Sequence, residues 1–431
     1  MLEKYFDLRA NNTTVKTEIT AGAVTFMTMA YIIFVNPTIL SDAHGAGMSF
    51  SGVLVATCIA SCLSSLLMGF LARYPIALAP GMGLNAYFSY VICGAMGVPW
   101  QVALGIVFIS GLLFTILTLL RARQLIVDAI PDSLKLATAA GIGLFIAFIG
   151  LQHGGIVAAD PNTFVTFGDL SRTPALVALF GLVFTSVLVA RKVKGGILFG
   201  LLATGILAVI SGLTKFKGVI SAPDFSSAMF KLDIAGALSF DYVVPIIVLL
   251  FSDMFDTIGT LIGVGEQCGF VKNGKLPRIN RALLSDAVGT MVGAVSGTST
   301  VTSYIESAAG VIEGGRTGLA AIVAGLLFLV AMFFTPLAEA FATGAVTAPA
   351  LVIVGCLMMQ SVKKIKWDDF TEAIPAFLTI ILMPLTFSIA HGLALGFISY
   401  PLVKLAAGRS KEVHWLVYVL AAIFVMRYIF I

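Results

Sequence analysis

YPIALAPGMGLNAYFSY (residues 74–90) and GTSTVTSYIESAAG (residues 297–310) interrupt the run of apolar helices that the rest of this chain predicts. In the first stretch, Pro75, Pro80 and Gly81 crowd the start, and proline removes a backbone donor and disfavours helix in the residue before it. In the second stretch, hydroxyl and β-branched residues dominate the first half, which favours an extended strand. We therefore predict that each stretch begins as a short strand and continues as a half-helix.

The composition around these stretches is that of a membrane protein. Hydrophobic residues make up 59% of the 431 positions and charged residues 11%, whereas a soluble domain carries about 25% charged residues. Because an apolar stretch of about 20 residues can cross a bilayer, the chain is predicted to be an all-α polytopic membrane protein. We place fourteen transmembrane segments near 19–40, 53–70, 76–93, 100–120, 133–152, 172–190, 196–213, 240–265, 281–296, 298–312, 317–337, 345–361, 370–389 and 391–407. A last apolar stretch, 413–431, suits either a further span or a helix lying at the interface.

The basic residues of the loops predict the orientation, because cytoplasmic loops carry an excess of Lys and Arg. With the N-terminus inside, the inner loops hold most of the basic residues, namely Arg73, Arg121, Arg123, Arg191, Lys192, Lys194, Lys272, Lys275, Arg278, Arg316, Lys363, Lys364, Lys366, Arg409 and Lys411. Lys215, Lys217 and Lys231 are exceptions in a longer outer segment. The sequence thus predicts a multi-pass protein of the cell (inner) membrane with a cytoplasmic N-terminus.

Fourteen segments also predict an internal repeat. Residues 105–115 align without gaps on 325–335, and residues 26–35 align on 255–264. Two halves of seven segments would have opposite orientations, which is the inverted repeat of many transporters. Both interrupted segments are third in their half, so we expect them to meet near the midplane of the bilayer, where transporters bind solutes.

Three acids lie deep in the predicted segments: Asp253, Asp256 and Glu306. An acid within a membrane costs about 2.5–3.5 kcal/mol, and no Lys or Arg is placed at comparable depth to pair with these three. They are therefore candidates for binding a ligand or a proton. Asp253 and Asp256 share a helix face, so one of them should hold a proton near neutral pH. Asp286, at the start of its segment, is expected to be an interface or capping residue.

The internal alignment places Asn85 within one residue of the equivalent of Glu306. A carboxylate accepts hydrogen bonds, and an amide both donates and accepts them. Together these groups predict a small, neutral or weakly basic solute that is rich in N–H donors. A carboxylate or phosphate solute is disfavoured because no buried cation is available to meet it.

Other classes of function find little support. The four His and five Cys form no metal-ligand or catalytic pattern, and Gly81-Met82-Gly83 lacks the strand–helix context of a dinucleotide fingerprint. The net charge of +4 is explained by topology, so nucleic acid is not an expected partner. We expect no enzyme activity, cofactor or metal. An anion transporter on the same inverted fold and a channel stay open as alternatives.

Several motifs resemble one family over nearly the whole chain. They are MAYIIFVNP (29–37), RYPIALAPGMGLNA (73–86), FDTIGTLIGV (255–264), LPRINRALLSDA (276–287), and GTSTVTSYIES (297–307) followed by GGRTG (314–318). These segments resemble the purine nucleobase permeases of the AzgA-like branch of the nucleobase–cation symporter family. The resemblance implies the uracil-transporter fold, in which strands in segments 3 and 10 cross at the binding site. Its core would comprise 1–125 (segments 1–4) and 236–340 (segments 8–11), and its gate 126–235 (segments 5–7) and 341–431 (segments 12–14 with the C-terminal apolar helix).

The resemblance also implies the function. Asp256 and Glu306 would hold a purine base with Asn85 beside them, and Thr260, Ser303 and Ile305 are weaker carry-overs. The family implies proton-coupled uptake of hypoxanthine, guanine or adenine. We further predict an elevator-like movement of core against gate, with the proton carried by Glu306 or by the Asp253–Asp256 pair. A uracil- or xanthine-type transporter is the closest alternative, and a homodimer is left open.

Overall fold

The computed structural model describes residues 2–120, 129–216, 218–267, 269–270 and 276–430, and within these ranges the chain is mostly helical. Its α-helices are α1 Leu2–Phe6, α2 Val15–Met29, α3 Ile32–Leu40, α4 Phe50–Leu67, α5 Met82–Ala86, α6 Trp100–Leu119, α7 Asp132–His153, α8 Thr173–Ala190, α9 Gly196–Ile210, α10 Val243–Gln267, α11 Ile279–Ser296, α12 Ser307–Ile312, α13 Gly318–Ala331, α14 Thr335–Ala340, α15 Gly344–Met358, α16 Phe370–Leu385, α17 Ile389–Ala406 and α18 Trp415–Phe430.

The helices are those of a membrane protein. Nine helical stretches in the described ranges are long and apolar enough to cross a bilayer, and three further apolar helices are shorter. The chain is therefore a mostly helical, multi-pass membrane protein, as predicted from its composition. Five basic residues used to predict the topology, Arg121, Arg123, Lys217, Lys272 and Lys275, lie outside the described residues.

Both interrupted segments contain the predicted strands. Strand β1, Leu78–Pro80, precedes α5, which continues into a π-helical stretch, Tyr87–Ala95. Strand β4, Val301–Ser303, precedes α12. The two strands pair with each other in an antiparallel ladder. Their pairing satisfies the backbone groups that the broken helices leave free, which is the condition for non-helical backbone inside a bilayer.

A second pair of strands lies between α7 and α8, where no strand was predicted. β2, Val157–Asp160, pairs antiparallel with β3, Phe164–Phe167. At the turn, Asp160 accepts the backbone N–H groups of Asn162 at 2.8 Å and Thr163 at 2.9 Å. These hydrogen bonds, that of Thr163 first, hold the pKa of Asp160 below its ordinary value.

Close packing around the strands comes from small residues. A Cβ added to Gly81 would lie 2.9 Å from Cγ2 of Thr302 in the partner strand. A Cβ added to Gly83 would lie 3.4 Å from Cβ of Ile142 in α7, with the Ile142 side chain closer still. Glycine at these two positions lets β1 and α5 approach β4 and α7 directly. The strand pair is thus enclosed by helices rather than exposed to lipid.

Candidate functional site

The strand pair fixes the centre of the candidate site. Leu78 faces Ser303 and Pro80 faces Val301 in the ladder. Beyond each end the pairing continues: the N–H of Gly81 donates to the carbonyl of Thr300 at 2.9 Å, and the N–H of Tyr304 donates to Ala77 at 3.0 Å. The half-helices α5 and α12 therefore start at opposite ends of one short ladder.

Side chains hold the ladder in place from both sides. The hydroxyl of Tyr304 donates to the carbonyl of Pro80 at 2.6 Å. The hydroxyl of Ser65, in α4, accepts the N–H of Leu78 at 2.9 Å and donates to its carbonyl at 3.2 Å. These buried hydrogen bonds give the strand crossing a fixed geometry, which a specific binding site requires.

Glu306 lies three residues after the end of strand β4, at the start of α12, and is half-buried. Its Oε1 accepts the hydroxyl of Tyr31 at 2.6 Å. Its backbone carbonyl accepts the hydroxyl of Thr28 at 3.3 Å. Tyr31 and Thr28 come from the region where α2 passes into α3, so these N-terminal helices orient the acid at the start of α12. Sequence reasoning did not assign Tyr31 to the site.

Asp256, in α10, contacts strand β4. Its Oδ2 accepts the hydroxyl of Thr302 at 3.3 Å, and the hydroxyls of Thr302 and Thr257 are 2.8 Å apart. Asp256 is half-buried, and its carboxylate interacts electrostatically with that of Glu306. The two acids that resemblance assigned to the ligand thus lie near each other beside β4, and both keep accessible surface.

Asp253 is nearly fully buried, at 1% exposure. Its Oδ2 accepts the hydroxyl of Thr290 in α11 at 3.0 Å, whereas its Oδ1 has no hydrogen-bond partner among the described residues. The same hydroxyl lies 2.9 Å from the carbonyl oxygen of Val301 and accepts the N–H of Val301 at 3.2 Å. Asp253 therefore lies behind strand β4, one layer away from the accessible surface of Asp256.

The expectation for Asp286 was wrong. It is fully buried in α11, and it interacts electrostatically with Asp253 and Asp256. Its position near the start of a segment suggested an end-capping role, but the helix begins at Ile279, so Asp286 lies two turns inside it. The available sequence signal was the position of Asp286 four residues before Thr290, because residues four apart share a helix face.

The remaining predicted site residues are placed less directly. Asn85 is fully buried in α5, where its Oδ1 accepts the hydroxyl of Ser299 and its Nδ2 has no hydrogen-bond partner among the described residues. Thr260, one turn after Asp256, is 8% exposed. The N–H of Ser303 donates to the hydroxyl of Thr257 at 3.4 Å. The side chain of Ile305 is half-exposed.

No cation offsets these acids within the part of the chain that the structure describes. There, Lys404 is the one basic side chain that is buried, and it pairs with Glu372 and Glu412 at 2.8 Å each. Those three residues belong to α16, α17 and the turn after α17. The acids beside β4 are therefore free to accept hydrogen bonds from a neutral or cationic solute and poorly suited to an anion.

Known proteins similar to this chain are permeases. A Methanocaldococcus jannaschii protein named only as a permease is 55% identical over 433 residues, covering 100% of this chain and 98% of that protein. The guanine/hypoxanthine permease PbuG of Bacillus subtilis is 46% identical and covers 100% of both chains. The adenine permease AdeQ of Escherichia coli is 43% identical, covering 100% of this chain and 96% of that protein.

The fold is shared with solved transporters. The transmembrane domain of the cyanobacterial bicarbonate transporter BicA superposes with a TM-score of 0.66 at 14% identity, covering 88% of this chain and 97% of that one. At this identity the likeness concerns the fold alone.

In sequence, the model of the Permease family matches residues 16–395. Together with the end-to-end relatives, this match confirms the assignment made from the motifs and places the chain among transporters rather than enzymes. The chain belongs to the Permease family.

Proposed function

We propose that this chain is a secondary active transporter that imports purine nucleobases, namely hypoxanthine, guanine or adenine, by proton symport. The observation that carries the proposal is the pair of half-buried acids, Asp256 and Glu306, beside the crossing of β1 and β4. Relatives that match end to end are named guanine/hypoxanthine and adenine permeases, which supports a purine as the solute.

The chemistry of a purine fits these groups. A purine ring presents N–H donors along its edge, and two carboxylates offer acceptors for them. The free amide donor of Asn85 and backbone groups at Ser303 and Ile305 would meet polar atoms of the ring. Thr260 would line the same space one helical turn beyond Asp256. A uracil or xanthine would use part of this set, so competition between bases distinguishes these solutes.

The architecture that goes with this function is fourteen transmembrane segments in a 7+7 inverted repeat. Residues 1–125 and 236–340 would form the core, and residues 126–235 and 341–431 the gate. The antiparallel pairing of β1 with β4 supports the repeat, because it joins the third segment of each half. Alternating access would come from an elevator-like movement of core against gate.

Orientation and coupling complete the proposal. The basic inner loops support a cytoplasmic N-terminus in the cell (inner) membrane. Proton coupling is supported by acids that lack a buried cation, since a proton on Glu306, Asp253 or Asp256 would lower the cost of moving the loaded core. A homodimer stays a prediction, and cross-linking of the purified protein would test it.

Uptake into proteoliposomes tests the function. We expect saturable uptake of labelled hypoxanthine or adenine that increases when the outside is made more acidic than the inside. Unlabelled guanine should compete, whereas uracil, xanthine and bicarbonate should not. Stronger competition by uracil or xanthine would favour the alternative nucleobase class. Inhibition by bicarbonate with no uptake of any base would instead indicate an anion transporter on the same fold.

The substitution Glu306→Gln tests the assigned acid. Glutamine keeps the size of the side chain but replaces one acceptor oxygen with a donor, so we expect uptake to fall by about 100-fold. The exposed Glu3→Gln change, at the N-terminus, is the matched control, because loss of a surface ion pair costs about 1 kcal/mol or less. Uptake by the Glu306→Gln variant at the rate of the control would remove Glu306 from the site.

A further inference from the structure

Asp286 is a buried acid that the proposed substrate site does not use. Neither of its oxygens has a hydrogen-bond partner among the described residues, and its side chain is fully buried. The hydroxyl of Thr257 and the N–H of Ser303 in β4 lie close enough to interact with it. An ionised carboxylate in such surroundings would be strongly destabilised. A neutral, protonated carboxyl fits the position far better.

Asp286 faces another acid across two packed helices. Asp253 and Thr257 are four residues apart on α10, and Asp286 and Thr290 are four apart on α11, so each pair shares a helix face. The hydrogen bond from Thr290 to Oδ2 of Asp253 shows that these two faces meet. Oδ1 of Asp253 is buried without a partner among the described residues. Two buried carboxyls at one contact cannot both ionise at low cost, and one shared proton removes the repulsion.

A chain of hydroxyls joins this pair of acids to the substrate site. The hydroxyl of Thr257, next to Asp286, is 2.8 Å from that of Thr302, which donates to Asp256 at 3.3 Å. Thr302 lies on strand β4, which crosses β1 at the site. A change of charge behind β4 would therefore alter the hydrogen bonds available to Asp256 in front of it.

Within the described ranges, the titratable groups near the pair of Asp253 and Asp286 are acids and phenols. Asp256 lies close to it on α10, and Glu306, Tyr304 and Tyr31 lie beyond β4. In the described ranges the buried Lys404 is engaged by Glu372 and Glu412 on other helices. No basic side chain of the described residues is thus available to neutralise the charge of the pair, and a proton is the species that the pair can accept.

We propose that Asp286 and Asp253 form a proton-holding pair behind strand β4, that this pair carries the coupled proton, and that the Thr257–Thr302 hydroxyls link it to Asp256. The inference rests on the proposed symport function. It moves the coupling proton from the substrate acids to a buried position between α10 and α11. Binding of the base and binding of the proton then use different residues, so a substitution can separate them.

The substitution Asp286→Asn separates the two roles. An asparagine amide can donate to Asp253 as the protonated acid does, but it cannot release a proton. In proteoliposomes, we expect this variant to exchange labelled for unlabelled base at equal pH at a rate within about twofold of the wild type. Under a pH gradient the wild type should accumulate base about tenfold per pH unit for one coupled proton, and the variant should show no accumulation. The control is Asp241→Asn, at an exposed acid before α10, which should accumulate base as the wild type does.

The hydroxyl link is tested with a matched pair of variants at Thr257. Serine keeps the hydroxyl and valine keeps the shape without it. We expect Thr257→Ser to retain gradient-driven accumulation and Thr257→Val to lose most of it, each measured relative to the exchange rate of the same variant at equal pH. Equal accumulation by the two variants would remove the hydroxyl link from the proposal.

An infrared measurement on the purified protein tests the proton without transport. A protonated carboxyl absorbs at a C=O frequency distinct from that of a carboxylate, so the wild type should show such a band at neutral pH and Asp286→Asn should lose it. A band unchanged in the variant, accumulation like that of the wild type, or parallel loss of exchange and accumulation would each overturn the inference. A wild type that transports no purine yet shows the band, with the band absent from the variant, would refute the proposed function and leave the proton-holding pair in place.

Discussion

At the scale of the residue, Tyr31 shows how a neutral side chain orients a charged one. Its hydroxyl donates to Oε1 of Glu306 at 2.6 Å, and it reaches the acid from the junction of α2 and α3. The substitution Tyr31→Phe removes the donor and leaves the ring. Because a hydrogen bond to a charged group is worth about 1.5–3 kcal/mol, we expect the Kd for the base to rise about tenfold or more when measured by calorimetry in detergent.

Tyr31→Phe should leave proton coupling intact, since the phenol is not part of the proposed proton-holding pair. Accumulation at saturating base should therefore match that of the wild type. The control is Tyr418→Phe, at an exposed tyrosine of α18, which should not change the Kd. An unchanged Kd in Tyr31→Phe would mean that Glu306 does not depend on this donor to bind the base.

The same residues show what the sequence could reveal about the site. Asp253, Asp256 and Glu306 were identifiable because a charge inside an apolar segment is conspicuous. Asp286 was set aside because it stood near a predicted segment end, and only the packing of α11 against α10 shows that it is buried. Tyr31 is one of many aromatic residues in the apolar segments, and its contact with Glu306 joins residues 275 positions apart. Such contacts depend on tertiary packing, which no local pattern encodes.

At the scale of the element, the sequence was most informative where helix formation fails. Pro75, Pro80 and Gly81 marked the extended part of the third segment, and strand β1 ends at Pro80. The hydroxyl-rich start of the tenth segment became β4. The β2–β3 hairpin was missed because its strands, VAAD and FVTF, are short. The one turn signal between them is Asp160-Pro161-Asn162.

Glu18 illustrates how one element caps another across the fold. This fully buried acid of α2 accepts the backbone N–H groups of Arg316, Thr317 and Ala320 at 2.8, 3.3 and 3.2 Å. These are donors at the start of α13, where the helix dipole also favours a negative charge. No local sequence pattern indicates this contact, because the partners are about 300 positions apart.

Replacing Glu18 with Gln should destabilise the packing of α2 against α13. The amide keeps the shape but loses the charge and turns one acceptor into a donor that faces N–H groups. We expect a loss of about 1–3 kcal/mol, seen as a lower Tm in detergent by a fluorescence-based thermal assay. Glu3→Gln, at an exposed acid of α1, is the control. A Tm equal to that of the control would show that the charge of Glu18 contributes no stability at the start of α13.

At the scale of the whole molecule, a polar contact joins the proposed core and gate on the side of the loop after α3. The hydroxyl of Tyr90 lies 3.1 Å from both Oδ2 of Asp42 and Nε2 of His153, the last residue of α7. An open cleft of about 330 Å³ borders this cluster, lined by Thr38, Ser41, Asp42, His153, Ala342 and Gly344. Loop residues such as Asp42 gave no sequence signal for this contact, whereas the mostly helical membrane fold followed from composition, because that property extends along the whole chain.

The direct approach of Gly83 to Ile142 allows the proposed movement of core against gate to be tested. Cβ of Ile142 lies 3.4 Å from the Cβ that a side chain at Gly83 would have, close to the separation of about 3.5–4.5 Å in disulfides. In a background without Cys58, Cys62, Cys93, Cys268 and Cys356, the pair Gly83→Cys and Ile142→Cys should oxidise readily. We expect oxidation to abolish uptake and reduction to restore it, since a disulfide from α5 to α7 would stop the core from moving past the gate.

The matched control for this disulfide lies within the proposed gate. Cβ of Thr379, in α16, is 3.2 Å from the position of a Cβ on Gly396, in α17, so Gly396→Cys with Thr379→Cys should also form a disulfide but leave uptake unchanged. Each single-cysteine variant reports the effect of its side chain without the link. If the oxidised Gly83–Ile142 pair still transports base at the rate of its reduced form, α5 and α7 do not move relative to each other during transport. The division into a moving core and a fixed gate would then have to be drawn elsewhere in the chain.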